Sequence, residues 1–289
     1  MSSGFLFAIA VLFSTQSAWA APQFTVFSLS SIRYDGSDFE GPVGALGTVQ
    51  MTHFHVGKPD GPRKYRFSIM AREDIDLRDG NVYQGGLFAG RSASRRQSVT
   101  VAGAIQSGSG PGFESHLKEL NDAADFYSSQ SDRLAHLPGN ASVSVDQEHR
   151  LTFSRSGKVS VFQVPEAELE NYRNWVMAGD PSDVFVVNVY GSSARLSGRI
   201  IELVGIHASQ LIFNFVDATS LTIFQGGVGD LGIPGTFLAP KACVVFDEAT
   251  ITGGLFVGGL QGTGQVNPAN FLWEALNPTV PAPCACRLP

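Results

Sequence analysis

The chain has 289 residues with 20 basic and 26 acidic side chains, a formal net charge of −6 and only 16% charged residues. That balance supplies no basic field to collect phosphates, so nucleic acid is excluded as an expected partner. The 32 glycines beside a 43% hydrophobic content point to a globular fold with many tight turns, because a disordered chain carries fewer large apolar residues.

The first residues read as an export signal. Gly4 to Phe13 is apolar, Ser14 to Ser17 is small or polar, and Ala18-Trp19-Ala20 forms a cleavage site of the small-x-small type. This apolar run is far shorter than the roughly 20 residues that span a bilayer. Cleavage after Ala20 is therefore expected, with a secreted, extracellular or cell-surface destination. No later segment is long and apolar enough to span a membrane. The expected organisation is a signal peptide over 1–20, one elongated domain over 21–272, and a Pro- and Cys-containing tail over 273–289.

Residues 24–57 alternate short apolar runs with Gly or Asp-Gly, which reads as consecutive short strands joined by tight corners. Residues 58–80 hold many charges and read as a strand followed by a solvated loop. After "SGSGPG", the apolar residues Phe113, Leu117, Leu120, Ala124, Tyr127 and Leu134 recur at helical spacing, and Pro138-Gly139 stops the helix. A single apolar stripe buries one face only, so this helix is expected to lie against a sheet. A second, short helix is expected from Glu166 to Val176. From 149 to 267, short strands alternate with Gly or Asn corners. The whole pattern predicts a mainly β fold, an irregular parallel β-solenoid (β-helix) with one long α-helix alongside, each coil stacking its apolar residues on the next. A β-sandwich is the competing arrangement, and the long helix argues against it.

The segments "FTVFSLSSIRYDGSDFEGPVGALG", "LTFSRSGKVSVFQVPEAELEN" and "VFVVNVYGSSARLSG", with the C-terminal block "NFVDATSLTI", "GTFLAPKACV" and "ITGGLFVGGLQGTGQV", resemble the choice-of-anchor A domain over roughly residues 24–270. The resemblance implies a secreted or surface-displayed protein, since that family carries varied C-terminal anchors and some members are labelled collagen-binding or adhesion-related. Its C-terminal pattern is also similar to that of the ice-binding solenoid family, in which a long helix lies beside an irregular β-solenoid. The resemblance implies a solenoid flanked by Phe113–Leu137, with no catalytic residue and no cofactor to transfer. The stretch after Phe271, "LWEALNPTVPAPCACRLP", has neither a sortase-type motif nor a hydrophobic helix. This leads to the expectation of release, or of attachment to a partner through a cysteine.

Several residue groups are candidates for function. Asn214 and Asp217 interrupt the apolar "LIFNFVDATSLTIF" and are expected at solenoid corners, bonding to backbone amides and carbonyls; the sharper alternative is a ligand-gripping pair. His53 and His55 alternate about Phe54, so on a strand they face one side and offer two metal ligands, with a solvated strand face as the plainer reading. Glu73, Asp74, Asp76 and Asp79 offer a cation site or the paired carboxylates of a glycan-cleaving enzyme, against a solvated loop. Arg91, Arg95 and Arg96 form a basic knot, either an exposed loop or a contact for acidic glycans. Asn140-Ala141-Ser142 is a glycosylation sequon. Thr219, Thr222, Thr250 and Thr252 are candidate ligand-facing residues, although only "TIT" at 250–252 has the spacing of a regular threonine ladder and threonine is an ordinary strand former. Cys243, Cys284 and Cys286 are odd in number, so a bridge from Cys243 to either of the others, three unpaired thiols, and a disulfide from Cys284 or Cys286 to a partner all stay open.

These features lead to a secreted or cell-surface, non-catalytic binding or adhesion module for an extracellular matrix protein or surface glycan. The alternatives are an ice-binding protein and, from a different class, a polysaccharide-cleaving β-helix enzyme using Asp74 and Asp76.

Overall fold

The computed structural model describes residues 21–59, 65–224 and 232–276. Each full coil places three strand segments around an apolar interior. Val26–Ser28 is followed by Ile32–Phe39, Val43–Ala45 by Val49–Val56, and Phe67–Ala71 by Ile75–Val82. The three long strands of this set each turn a corner within their length. The residues at the turn are Gly36, His53 and Asp79, with φ of 86°, 50° and 50°. They drop out of the ladder, so that Asp35↔Thr52 is followed by Ser37↔Phe54 in the register. A left-handed residue is what lets an extended chain bend sharply here, and glycine takes that conformation without steric cost. The segment 75–82 is therefore a strand carrying Asp76 and Asp79, where the sequence pattern predicts a solvated loop. Parallel pairing with Val49–Val56 outweighs its charge, because the alternate residues Ile75, Leu77 and Val82 fill the interior.

Parallel registers set the order of the stack along one face. It runs Val159–Pro165, Val184–Tyr190, Leu211–Phe215, 236–239, 255–257, Val26–Ser28, Val43–Ala45, Phe67–Ala71, Gly86–Ala89, Ile105–Ser107. The last coil thus meets the first in mid-stack, and the two halves of the chain grow outward from that seam. The helix α1 (Phe113–Ala135) carries the chain from one outer end back towards the other. At 23 residues it is about 34 Å long. The short helix α2 (Glu166–Asn171) ends before the expected Val176, because Asn174–Ala178 is taken as a strand between Leu151–Ser154 and Ile200–Val204. The long parallel ladders exclude the sandwich arrangement.

Burial forms two layers. Val26, Val43, Ile69, Leu87, Phe213, Phe237 and Leu255 fill the solenoid interior. The other side of the same strands presents Phe27, Met70, Phe88, Leu238 and Phe256 to Leu120, Ala123, Phe126 and Tyr127 of α1. Tyr127 stacks on Phe256 with centroids 3.9 Å apart. At Gly44 a Cβ atom would lie 2.7 Å from the rings of Phe24 and Phe27, so this position in the helix-facing row stays bare. Trp273–Leu276 forms a short 3-10 helix, with Trp273 edge-on to Phe126. Among the described residues no helix is long and apolar enough to cross a membrane.

Candidate ligand-binding face

Three surfaces result, one covered by α1 and two open. The covered face accounts for Asn214. Its strand is fully buried, and the helix-facing row reads Gln163, Asn188, Asn214, Leu238 in register. Asn214 donates to the Asn188 side-chain oxygen at 2.9 Å and to the Ser131 carbonyl at 3.0 Å, and accepts from the Ser131 hydroxyl at 2.7 Å. Asn188 donates to the Leu134 carbonyl at 2.7 Å, Tyr190 to that of Ala135 at 3.2 Å and Gln163 to that of Leu137 at 2.9 Å. The last carbonyls of a helix lack intrahelical donors, and the Asn188 amide and the Tyr190 hydroxyl donate to two of them, at Leu134 and Ala135. Asn214 thus stands in mid-strand under the C-terminal end of α1, not at a corner. Sequence reasoning passed over Asn188, Gln163 and Tyr190, although equal placement of amides in successive strands is a signal that could have found them.

Asp217 is exposed in the turn after Leu211–Phe215, with Lys241 Nζ at 3.8 Å. His53 and His55 do not share a side, because the left-handed φ of His53 breaks the alternation. His53 Nδ1 meets Asp35 at 2.8 Å, and that bond, with the nearby Asp35 and Asp79 charges, raises the His53 pKa. His55 Nδ1 instead accepts from the Asn81 side-chain amide at 3.1 Å, and the ring stacks on Tyr83. Asn140 is exposed, but its side chain is used: it donates to the Val159 carbonyl at 3.0 Å and accepts from the Val161 amide at 2.8 Å. Cys243 is exposed, while Cys284 and Cys286 lie outside the described residues, as do residues 1–20.

The front face is formed by 31–35, 48–52, 74–78 and 93–95 in one half and by Ser193–Ser197, Ser220–Phe224, 243–247 and 259–262 in the other. Its outward residues line up across coils because parallel neighbours lie about 4.8 Å apart. One row contains Ser193, Ser220, Cys243 and Gly259, and the next Arg195, Thr222, Val245 and Gln261. The second row continues through Arg33, Gln50, Asp76 and Ser94. The face is thus uneven: Ser220, Thr222, Cys243, Val245, Gly259 and Gln261 form an uncharged stretch over three coils, flanked in the same rows by Arg195 on one side and by Arg33 and Asp76 on the other. Asp74 accepts from the Ser92 amide and hydroxyl at 3.1 and 2.7 Å, and Asp76 pairs with Arg78 at 2.9 Å and Ser94 at 3.1 Å. These carboxylates are occupied by close neighbours on their own face.

The four threonines do not form one array. Thr222 lies on the front face between Arg195 and Val245, and Thr219 in the corner before it donates to the Ser192 carbonyl at 3.2 Å. Thr250 and Thr252 lie round the next corner on the side face, opposite Gln265 and Asn267.

The profile of the Ice-binding-like adhesive domain matches residues 19–268. The chain belongs to that family. This overturns the resemblance to the choice-of-anchor A domain: the match takes in nearly all of the segments that carried the resemblance and assigns them to the ice-binding-like adhesive domains. Solved structures similar to it include three ice-binding proteins. One is from the Antarctic ascomycete Antarctomyces psychrotrophicus (13% identity, 86% of this chain and 95% of that one, TM-score 0.46). The second is the ice-binding protein 1 domain of Shewanella frigidimarina (16%, 87% and 98%, TM-score 0.42). The third is from an Arctic yeast (12%, 90% and 93%, TM-score 0.41). At TM-scores below 0.5 none of them extends what the family match establishes. A comparison with curated protein sequences gives no match.

Proposed function

We propose that this ice-binding-like adhesive domain is a secreted or surface-associated, non-catalytic binding module that adsorbs through its front face to an extended ordered surface, with ice as the ligand. The observation that carries the reading is the uncharged stretch of that face, where Ser220, Thr222, Cys243, Val245, Gly259 and Gln261 stand in register over three coils. Hydroxyl and methyl groups on a stiff, flat backbone hold water weakly and at a fixed spacing, whereas charged groups bind liquid water and oppose a crystalline layer. Thr222, with Thr219 at its margin, belongs to this stretch; Thr250 and Thr252 would contribute only from the side face. We also propose that residues 1–20 are removed as a signal peptide and that 273–289 form a tail to the domain.

The test is thermal hysteresis and inhibition of ice recrystallisation by the mature chain. Thr222→Tyr and Val245→Lys should each reduce the activity at least several-fold with an unchanged circular dichroism spectrum. No hysteresis and no crystal shaping at millimolar wild-type protein would overturn the ice reading.

The charged half of the front face favours a second reading, adhesion to an extracellular matrix protein or surface glycan. Arg33, Asp35, Asp74, Asp76 and Arg78 offer the directed polar contacts that such a ligand uses. Binding to collagen or arrayed glycans that survives Thr222→Tyr and is lost in Asp74→Lys would support it. Release of reducing or unsaturated sugars that disappears in Asp74→Ala and Asp76→Ala would contradict both non-catalytic readings.

A further inference from the structure

The two ends of the solenoid are built differently. At the end formed by Val159–Pro165, chain elements stand where the next coil would be. The Asn140 side chain bonds to the Val159 carbonyl and Val161 amide. On the front face α2 lies across the edge of Ser193–Ser197, where Glu166 accepts from the Ser193 amide at 3.0 Å and Glu170 from the Arg195 amide at 2.6 Å. On the side face the antiparallel strand Ser142–Val145 covers Leu151–Ser154.

At the other end, Ala93–Arg95, Val99–Val101 and Ile105–Ser107 each pair on one side only among the described residues. The interior columns of the stack end here, and they end unequally: Val99, in register with Gly80, stays buried at 1% exposure. Ile105, in register with the fully buried Leu87, is 43% exposed. Arg95 is in register with Leu77, itself in line with Met51 and Tyr34. It puts a guanidinium in a column that is otherwise apolar, and that group donates to the Val99 carbonyl at 2.8 Å. A charge at an inward-pointing position of a terminal strand is a device that prevents further strand addition, since a new coil would bury it without a partner.

We infer that the 93–107 end is a latent interface for a second copy of this chain, held shut by Arg95 with the neighbouring Arg96. Because the opposite end is covered on the front and helix-facing sides and keeps an open edge only at Ser142–Val145, the surface among the described residues that matches all three open edges is the same end of another molecule. The contact is then isologous and closes at a dimer; it cannot propagate into a filament.

Sedimentation velocity of the full mature chain tests this across a concentration series. Arg95→Leu, which completes the apolar column, should dimerise at least tenfold more tightly than the wild type and stop at two copies. Arg95→Gln keeps a donor for the Val99 carbonyl while losing the charge, and serves as the milder folded variant with a smaller gain. Adding Ile105→Lys to Arg95→Leu should return the protein to wild-type behaviour. No gain in either single variant, growth beyond the dimer, or a dimer that survives Ile105→Lys would each overturn the inference. Loss of ice adsorption bears only on the front face and leaves this test unaffected.

Discussion

The polar residues with most structural consequence are those that leave the strand rows to bond with α1. Asn214 makes its contacts with Ser131 and Asn188 where no water reaches, its own exposure being 0%. Asn214→Ala strands the Ser131 hydroxyl and the Asn188 oxygen at a cost of roughly 1–3 kcal/mol for each group left unsatisfied. The expected loss in a denaturant titration is about 2 kcal/mol or more, and an unchanged midpoint would show that the row is incidental. His53 gives a signed pH effect. Its pKa is raised in the folded protein by the bond to Asp35, so the protonated form is favoured by folding. The resulting stabilisation is complete below the ordinary histidine value near 6.5 and disappears as pH rises through the raised folded value. An NMR titration should find the His53 ring titrating above that ordinary value, and Asp35→Asn should bring it back down.

At the scale of elements, α1 closes the apolar outer side of the sheet. Tyr127 lies between Phe27 and Phe256, from the first and last coils, and burial raises its hydroxyl pKa well above the usual value. Tyr127→Ala should destabilise the fold by roughly 3–5 kcal/mol, the range for removing a buried aromatic side chain. A change within 1 kcal/mol, read from chemical denaturation, would mean that the helix is an ornament and not part of the core. The helix was legible before the structure because its apolar stripe recurs at helical spacing. The strand at 75–82 was not, because its alternation is dense with charge, and only its pairing with the adjacent coils at 49–56 and 93–101 reveals it.

For the whole molecule the seam is decisive. Leu255–Gly262 pairs with 236–239 on one side and Val26–Ser28 on the other, and the Leu255 amide donates to the Thr25 carbonyl at 2.9 Å. Leu255→Pro removes that donor in a central strand. If the two halves form one cooperative unit, hydrogen exchange should accelerate together at Val26–Ser28 and 236–239. Acceleration confined to one half would show that the halves open independently.

By itself the sequence determined the secondary-structure class, the stacking of apolar positions and the place of the long helix. These rest on local periodicity, which survives in a single strand or helix read alone. The proposal of an export signal at residues 1–20 rests on the same kind of local pattern, of apolar and small residues. Tertiary structure alone decided that the last coil joins the first, that Asn214 faces a helix and not a corner, that His53 and His55 part at a left-handed bend, and that four threonines divide between two faces. The bend at His53 is a local backbone conformation; the others depend on how segments apart in the chain pack and pair. A shift of one residue sends every side chain of a strand to the opposite surface, and nothing local to a strand records which register its neighbours impose.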